Sequence, residues 1–120
     1  MTTFGSYLRK LRRKRHMTQE ALAQKIGKNK MTVSMYERDV NVPPNKFNLD
    51  RLATILNLDD EERDELIFLA SAKRNTVPGD IRKYFYKHPA IYRTIRVAQA
   101  NNIGDKRWIE LSEILVSPHE

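Results

Sequence analysis

The chain has 120 residues, no cysteine and a formal charge of +7, from 22 Lys and Arg against 15 Asp and Glu. That length suits one domain, or a small domain with an appendage, and the missing thiols exclude disulfides and thiolate metal sites. The charge is unevenly placed: residues 1–38 hold ten cations and two acids, residues 39–72 three and eight, and residues 73–120 nine and five.

Five helices are predicted in residues 1–72. The first covers residues 4–16, with Phe4, Leu8 and Leu11 on one face. Thr18 can cap the second, whose apolar positions Leu22, Ala23 and Ile26 fall at helical spacing. Gly27 supplies a tight turn, because a left-handed helix end costs little without a Cβ. Asn29 then caps a third helix with Val33 and Tyr36 facing inward. Helix, tight turn and helix together form a helix-turn-helix, the motif that lays its second helix in the DNA major groove.

Residues 41–45, with two adjacent prolines, form a rigid loop that stops one helix before the next. Leu49, Leu52, Ala53 and Leu56 mark the buried stripe of a fourth helix. Asp59 with Glu62 reads as a capping box opening a fifth, which runs through Leu66, Leu69 and Ala70. Residues 73–79 are polar, end in Pro-Gly and form the expected linker. Beyond it three short helices are predicted. Residues 80–88 carry Ile81, Tyr84 and Phe85; a second helix opens at Pro89 and carries Ile91, Ile95 and Ala98; residues 106–116 carry Trp108, Leu111 and Leu115. The expected organisation is a DNA-binding domain at 1–72, a linker at 73–79 and a helical region at 80–120. Some 40 residues seldom bury enough apolar surface to stand alone. Ile81, Phe85, Ile91, Ile95, Trp108 and Leu111 are therefore expected to form a homodimer interface.

Residues 4–70 resemble the Cro/repressor, or XRE-like, helix-turn-helix family. The resemblance is carried by Leu8-x-x-Leu11-Arg12, by Thr18-Gln19-Glu20-x-Leu22-Ala23-x-x-Ile26-Gly27, by Val33-x-x-Tyr36-Glu37-Arg38 and by Leu52-Ala53. It implies an all-α fold, a five-helix lambda-repressor-like domain followed here by a short helical dimerisation region. It also implies a phosphate contact for Gln19 and a structural ion pair between Arg12 and Glu37. The residues agree with the second implication, since Arg12 lies among apolar positions and needs an anion. The sequence departs from the family at Lys28, where an apolar residue is usual, and at Met31 and Met35, where polar ones are. The loop at 39–44 is one residue longer than the usual pattern and lacks its Gly.

With Val33 and Tyr36 inward, base reading falls to Asn29, Lys30, Met31, Ser34 and Met35. Lys30 can donate to guanine, Asn29 can pair with adenine, and the methionines suit thymine methyl groups. Lys28, Arg38 and Arg13 join Gln19 as expected phosphate contacts. The partner implied is double-stranded DNA, a palindromic operator read by a dimeric repressor of a bacterial or phage operon.

The longest apolar run, residues 66–70, is too short to span a bilayer, so no membrane role is expected. No hydrophobic signal follows Met1, and the expected location is cytoplasmic. His16, His88 and His119 form no metal-binding spacing, no glycine-rich phosphate loop is present, and neither cofactor, metal nor catalysis is expected. Two other readings use the same motif: an antitoxin whose tail binds a toxin, and an RNA-binding module. The tail also loosely resembles that of repressors inactivated by ImmA/IrrE-type metallopeptidases, which would make such an enzyme a regulatory partner.

Overall fold

The computed structural model describes residues 2–41 and 45–116. Every regular element among them is a helix: α1 (Phe4–Lys14), α2 (Gln19–Lys25), α3 (Lys30–Glu37), α4 (Lys46–Ile55), α5 (Asp60–Lys73), α6 (Gly79–Lys87), α7 (Pro89–Ala100) and α8 (Asp105–Val116). They fall into two compact units, Met1–Pro78 and Gly79–Glu120. None is long and apolar enough to cross a membrane.

Each helix of the first unit starts where a short polar side chain can accept an orphan amide. Thr3, Thr18, Asn29, Asn45 and Asp59 are the five N-caps, each accepting from the amide three residues on. Thr3 and Asp59 form full capping boxes with Ser6 and Glu62. The helix ends repeat one device. His16, Gly27, Asp39, Asn57, Asn75 and Asn102 all take positive φ, between 50° and 71°. After each, the next amide reaches back five residues, as from Met17 to Arg12, Val40 to Met35 and Leu58 to Ala53. Asn dominates this set because its short polar side chain tolerates the left-handed region.

The first helix is two residues shorter than expected. His16 sits beyond its end at φ 56°, where the chain must turn back so that the Met17 amide can reach Arg12. The proline loop expected at 41–45 lies outside the described residues at 42–44. Its two flanks are described: Asn45 caps α4, and the Asn41 amide donates to the Met35 sulfur at 3.4 Å.

One core fills the first unit. Phe4, Leu8 and Leu11 of α1 meet Leu22, Ala23, Ile26 and Val33, and the layer of Leu49, Leu52, Leu56, Leu66 and Ala70 closes it. Two polar clasps hold the helices in register. Asp39 accepts from the Gly5 amide at 2.9 Å and from the Thr3 hydroxyl at 2.7 Å, joining the end of α3 to the start of α1. Arg15 donates to both carboxylate oxygens of Glu62, at 2.7 and 3.4 Å, joining the end of α1 to α5.

Arg15's hydrogen bonds, helped by the Asp59 amide and Lys14, hold the Glu62 carboxyl at about 2, well below its ordinary 4.5. Its folded pKa is depressed, so this stabilisation is fully present above about pH 4.5 and is lost as the pH falls from there towards 2. Glu62→Gln should therefore flatten the acid limb of stability, measured as urea midpoints between pH 2 and pH 5. An unchanged acid limb would mean that the clasp contributes nothing.

The second unit contrasts with the first. Ala98 is its one buried hydrophobic residue among those described, while Ile81, Tyr84, Tyr86, Tyr92, Ile95, Val97, Ile109, Leu111 and Ile114 stay exposed. Pro89 opens α7 at its first position, as expected. Phe85 meets Tyr92 edge-on at 6.2 Å, and the Arg96 guanidinium lies 5.3 Å from the centre of the Tyr92 ring.

Candidate nucleic-acid interface

Helices α2 and α3 with the Gly27 turn form the motif, and α3 is the helix to be presented. Its buried residues are Val33 and Glu37, one turn apart. That pair fixes which way the helix faces. Met31, 58 % exposed, lies on the opposite side, and Lys30 is exposed at the first turn.

The bracing behind α3 is ionic. Arg12 donates to Glu37 through Nε at 2.6 Å and Nη2 at 2.9 Å, a bidentate pair, and its Nη1 donates to the Met17 carbonyl at 2.7 Å. Glu37's hydrogen bond raises the Arg12 pKa against the opposing effect of burial. Gln19 also donates to Glu37, at 3.1 Å. One carboxylate thus gathers α1, α2 and α3. The Gln19 amide carries a second N–H, so this bond leaves it a donor for a phosphate.

The remaining candidate readers differ in their freedom. Asn29 spends its side-chain oxygen on the Thr32 amide at 2.9 Å and the Thr32 hydroxyl at 3.0 Å, which leaves its NH2 as the group to offer a base. Bidentate pairing with adenine needs both ends of that amide, so Asn29 acts as a cap first. Ser34 accepts from Arg38 Nε at 3.3 Å, tying a candidate reader to a candidate phosphate contact. Met35 is half-buried under the Asn41 amide, whereas Met31 is open. Arg13, Lys28 and Arg38 are exposed.

Two contributors escaped the sequence reading. Asp39 positions α1 against the end of α3, and Asn41 covers Met35. Both act over a turn of irregular chain, where helical periodicity carries no signal.

In the second unit, Phe85, Ile95 and Trp108 line one hollow of about 470 Å³ together with Tyr92, Ala98 and Ile103. Ile81, Ile91 and Leu111, expected with them, lie outside that hollow; Ile91 is half-buried and the other two are exposed.

Residues 8–62 match the helix-turn-helix family. A chain in a solved SinR protein/SinI protein complex is similar over 94 % of both chains, at 18 % identity and a TM-score of 0.48. Comparison with curated proteins gave no match. The match spans the Gly27 turn, the Arg12–Glu37 brace and the whole of α3. Residues 8–62 are thus similar to the helix-turn-helix family over the segment that holds the motif.

Proposed function

We propose that this chain is a dimeric, sequence-specific repressor that reads a near-palindromic operator through α3. The observation that carries the reading is the pairing of an exposed Lys30–Met31 edge with a back held rigidly by Arg12, Glu37 and Gln19. A groove-reading helix must present side chains at a fixed angle, and a buried bidentate ion pair supplies that constraint. In this reading Lys30, Met31 and Ser34 meet base edges, with Asn29 and Met35 at the margins of the contact. Gln19, Lys28, Arg38 and Arg13 meet phosphates.

An operator selected from random duplexes should have half-site centres about 10 bp apart, or a multiple of that. Binding should fall with salt at a log–log slope of about −4 to −7, the release expected from about 4 to 8 neutralised phosphates. Lys30→Ala should cost about 1–3 kcal/mol and relax preference at one base position per half-site. Its melting temperature should stay put, because the side chain is exposed. A slope near zero, or a preference for hairpin RNA, would overturn the reading.

Dimerisation is assigned to the second unit, which leaves most of its own apolar side chains unburied. Ile95→Asp and Trp108→Asp place a charge in the hollow and should each turn a dimer into a monomer by sedimentation, with the first unit melting as before. If both variants stay dimeric, the hollow serves a different protein, and the antitoxin reading takes over.

A further inference from the structure

Helix α6 has two unlike sides. Ile81 and Phe85, one turn apart, share the side assigned to the dimer. Around the remaining arc, about 200° wide at 3.6 residues per turn, the order is Tyr84, Asp80, Lys87, Lys83, Gly79, Tyr86, Arg82. Tyr84 and Tyr86 stand on either side of the cation pair Lys87 and Lys83, with Asp80 beside Tyr84. Tyr84 is 61 % exposed and Tyr86 75 %; Tyr86 meets the Phe85 ring edge-on at 5.2 Å, and both phenols keep an open side. All of the arc but Gly79 lines one shallow hollow of about 740 Å³. Asp80 is also the only acid between residues 79 and 104, a stretch with five Lys and Arg.

None of these groups belongs to the α3 surface, and the apolar hollow needs only the other side of α6. We propose that the outer face of α6 binds single-stranded nucleic acid. Tyr84 and Tyr86 act as platforms for unpaired bases, and Lys83 and Lys87 between them hold the connecting phosphates. Every base has a π-face, so stacking on an open ring is sequence-tolerant, and a positive charge beside it tracks the backbone. Paired bases in a duplex are stacked on each other and have no face to give, which selects the single strand. Tyr84 leans on His88, with ring centres 4.6 Å apart, and this holds its ring in place for a base on the other side. An anionic membrane would instead draw in the Ile81 and Phe85 side, turning both tyrosines and lysines away from the lipid core.

The test uses the full chain and fluorescent 20-mers of deoxythymidine and of uridine, read by anisotropy. Tyr86→Ala should weaken binding at least about 5-fold, the low end of what one stacked base is worth, while Tyr86→Phe should stay within about 2-fold of the parent. Lys83→Glu with Lys87→Glu should remove most of the affinity and make the salt dependence shallower. Binding of random duplex should hardly change in any of these variants, because it belongs to the first unit. Sensitivity to these substitutions on either 20-mer supports the proposal, and the tighter of the two identifies RNA or DNA as the strand. Three results would overturn it: no single-strand binding, single-strand binding that survives the α6 variants but falls with Lys28→Ala and Lys30→Ala, or α6-dependent binding seen only with phosphatidylglycerol vesicles.

Discussion

Replacing Glu37 by Ala is expected to cost the first unit about 3–5 kcal/mol. The side chains of Arg12 and Glu37 are only 9 % and 2 % accessible, and their contact is as short as 2.6 Å. Without the carboxylate a guanidinium stays buried with the Met17 carbonyl as its remaining acceptor, and Gln19 loses its acceptor as well. For a domain of this size each kcal/mol is worth about 4–8 °C, so the melting temperature should drop by at least about 12 °C by circular dichroism. Operator binding should fall with it, since α3 loses the group that sets its angle. A double replacement by Met at both positions should recover part of the loss, because it removes the stranded charge along with the pair. A drop of only a few degrees in Glu37→Ala would show that water reaches Arg12 and that the brace is weak.

Gly5→Ala should be nearly as damaging, and with the opposite sign to helix propensity. In a helix interior, Ala normally gains about 1 kcal/mol over Gly. Here an added Cβ would lie 2.5 Å from the backbone carbonyl oxygens of both Tyr36 and Glu37 and 2.7 Å from the Glu37 carbonyl carbon. Those atoms belong to α3 and cannot swing aside as a side chain would. α1 must lift off, and the Gly5 amide then leaves Asp39. The expected loss is about 3 kcal/mol, at the upper end for overpacking, read as a shift in urea midpoint at constant slope. Gly104→Ala is the control, since a Cβ there meets nothing within 4 Å. Equal stability of the two variants would refute the close approach of α1 and α3.

Local chemistry made much of this legible beforehand. Thr18, Asn29 and Asp59 announce helix starts because each short polar side chain reaches an amide three residues on. Pro89 announces another because it lacks an N–H to satisfy. Leu49, Leu52 and Leu56 announce a buried stripe by spacing alone. The links between helices were less legible. Nothing near Gly5 in the chain says that the carbonyls of Tyr36 and Glu37 will press on it, and nothing near Arg15 points to Glu62. Arg12 with Glu37 came from the family resemblance, not from spacing. Where one side chain serves two roles, sequence does not rank them: Asn29 caps its helix with the oxygen that adenine would need. Met35 looked as open as Met31, because periodicity places both outward, and the Asn41 amide that covers Met35 comes from irregular chain.

Helix ends that use asparagine where glycine is usual also shape the state from which the protein folds. The chain has only four glycines, and among the described residues five of the six left-handed helix ends are His16, Asp39, Asn57, Asn75 and Asn102. Each of these five stores a small backbone strain once folded, which a glycine would not. Each also narrows the conformations open to the unfolded chain, which glycine would widen, an effect of about 0.4–1 kcal/mol per site. The two largely cancel in net stability. What survives the cancellation is a stiffer denatured ensemble, so less disorder has to be removed when α1 to α5 come together.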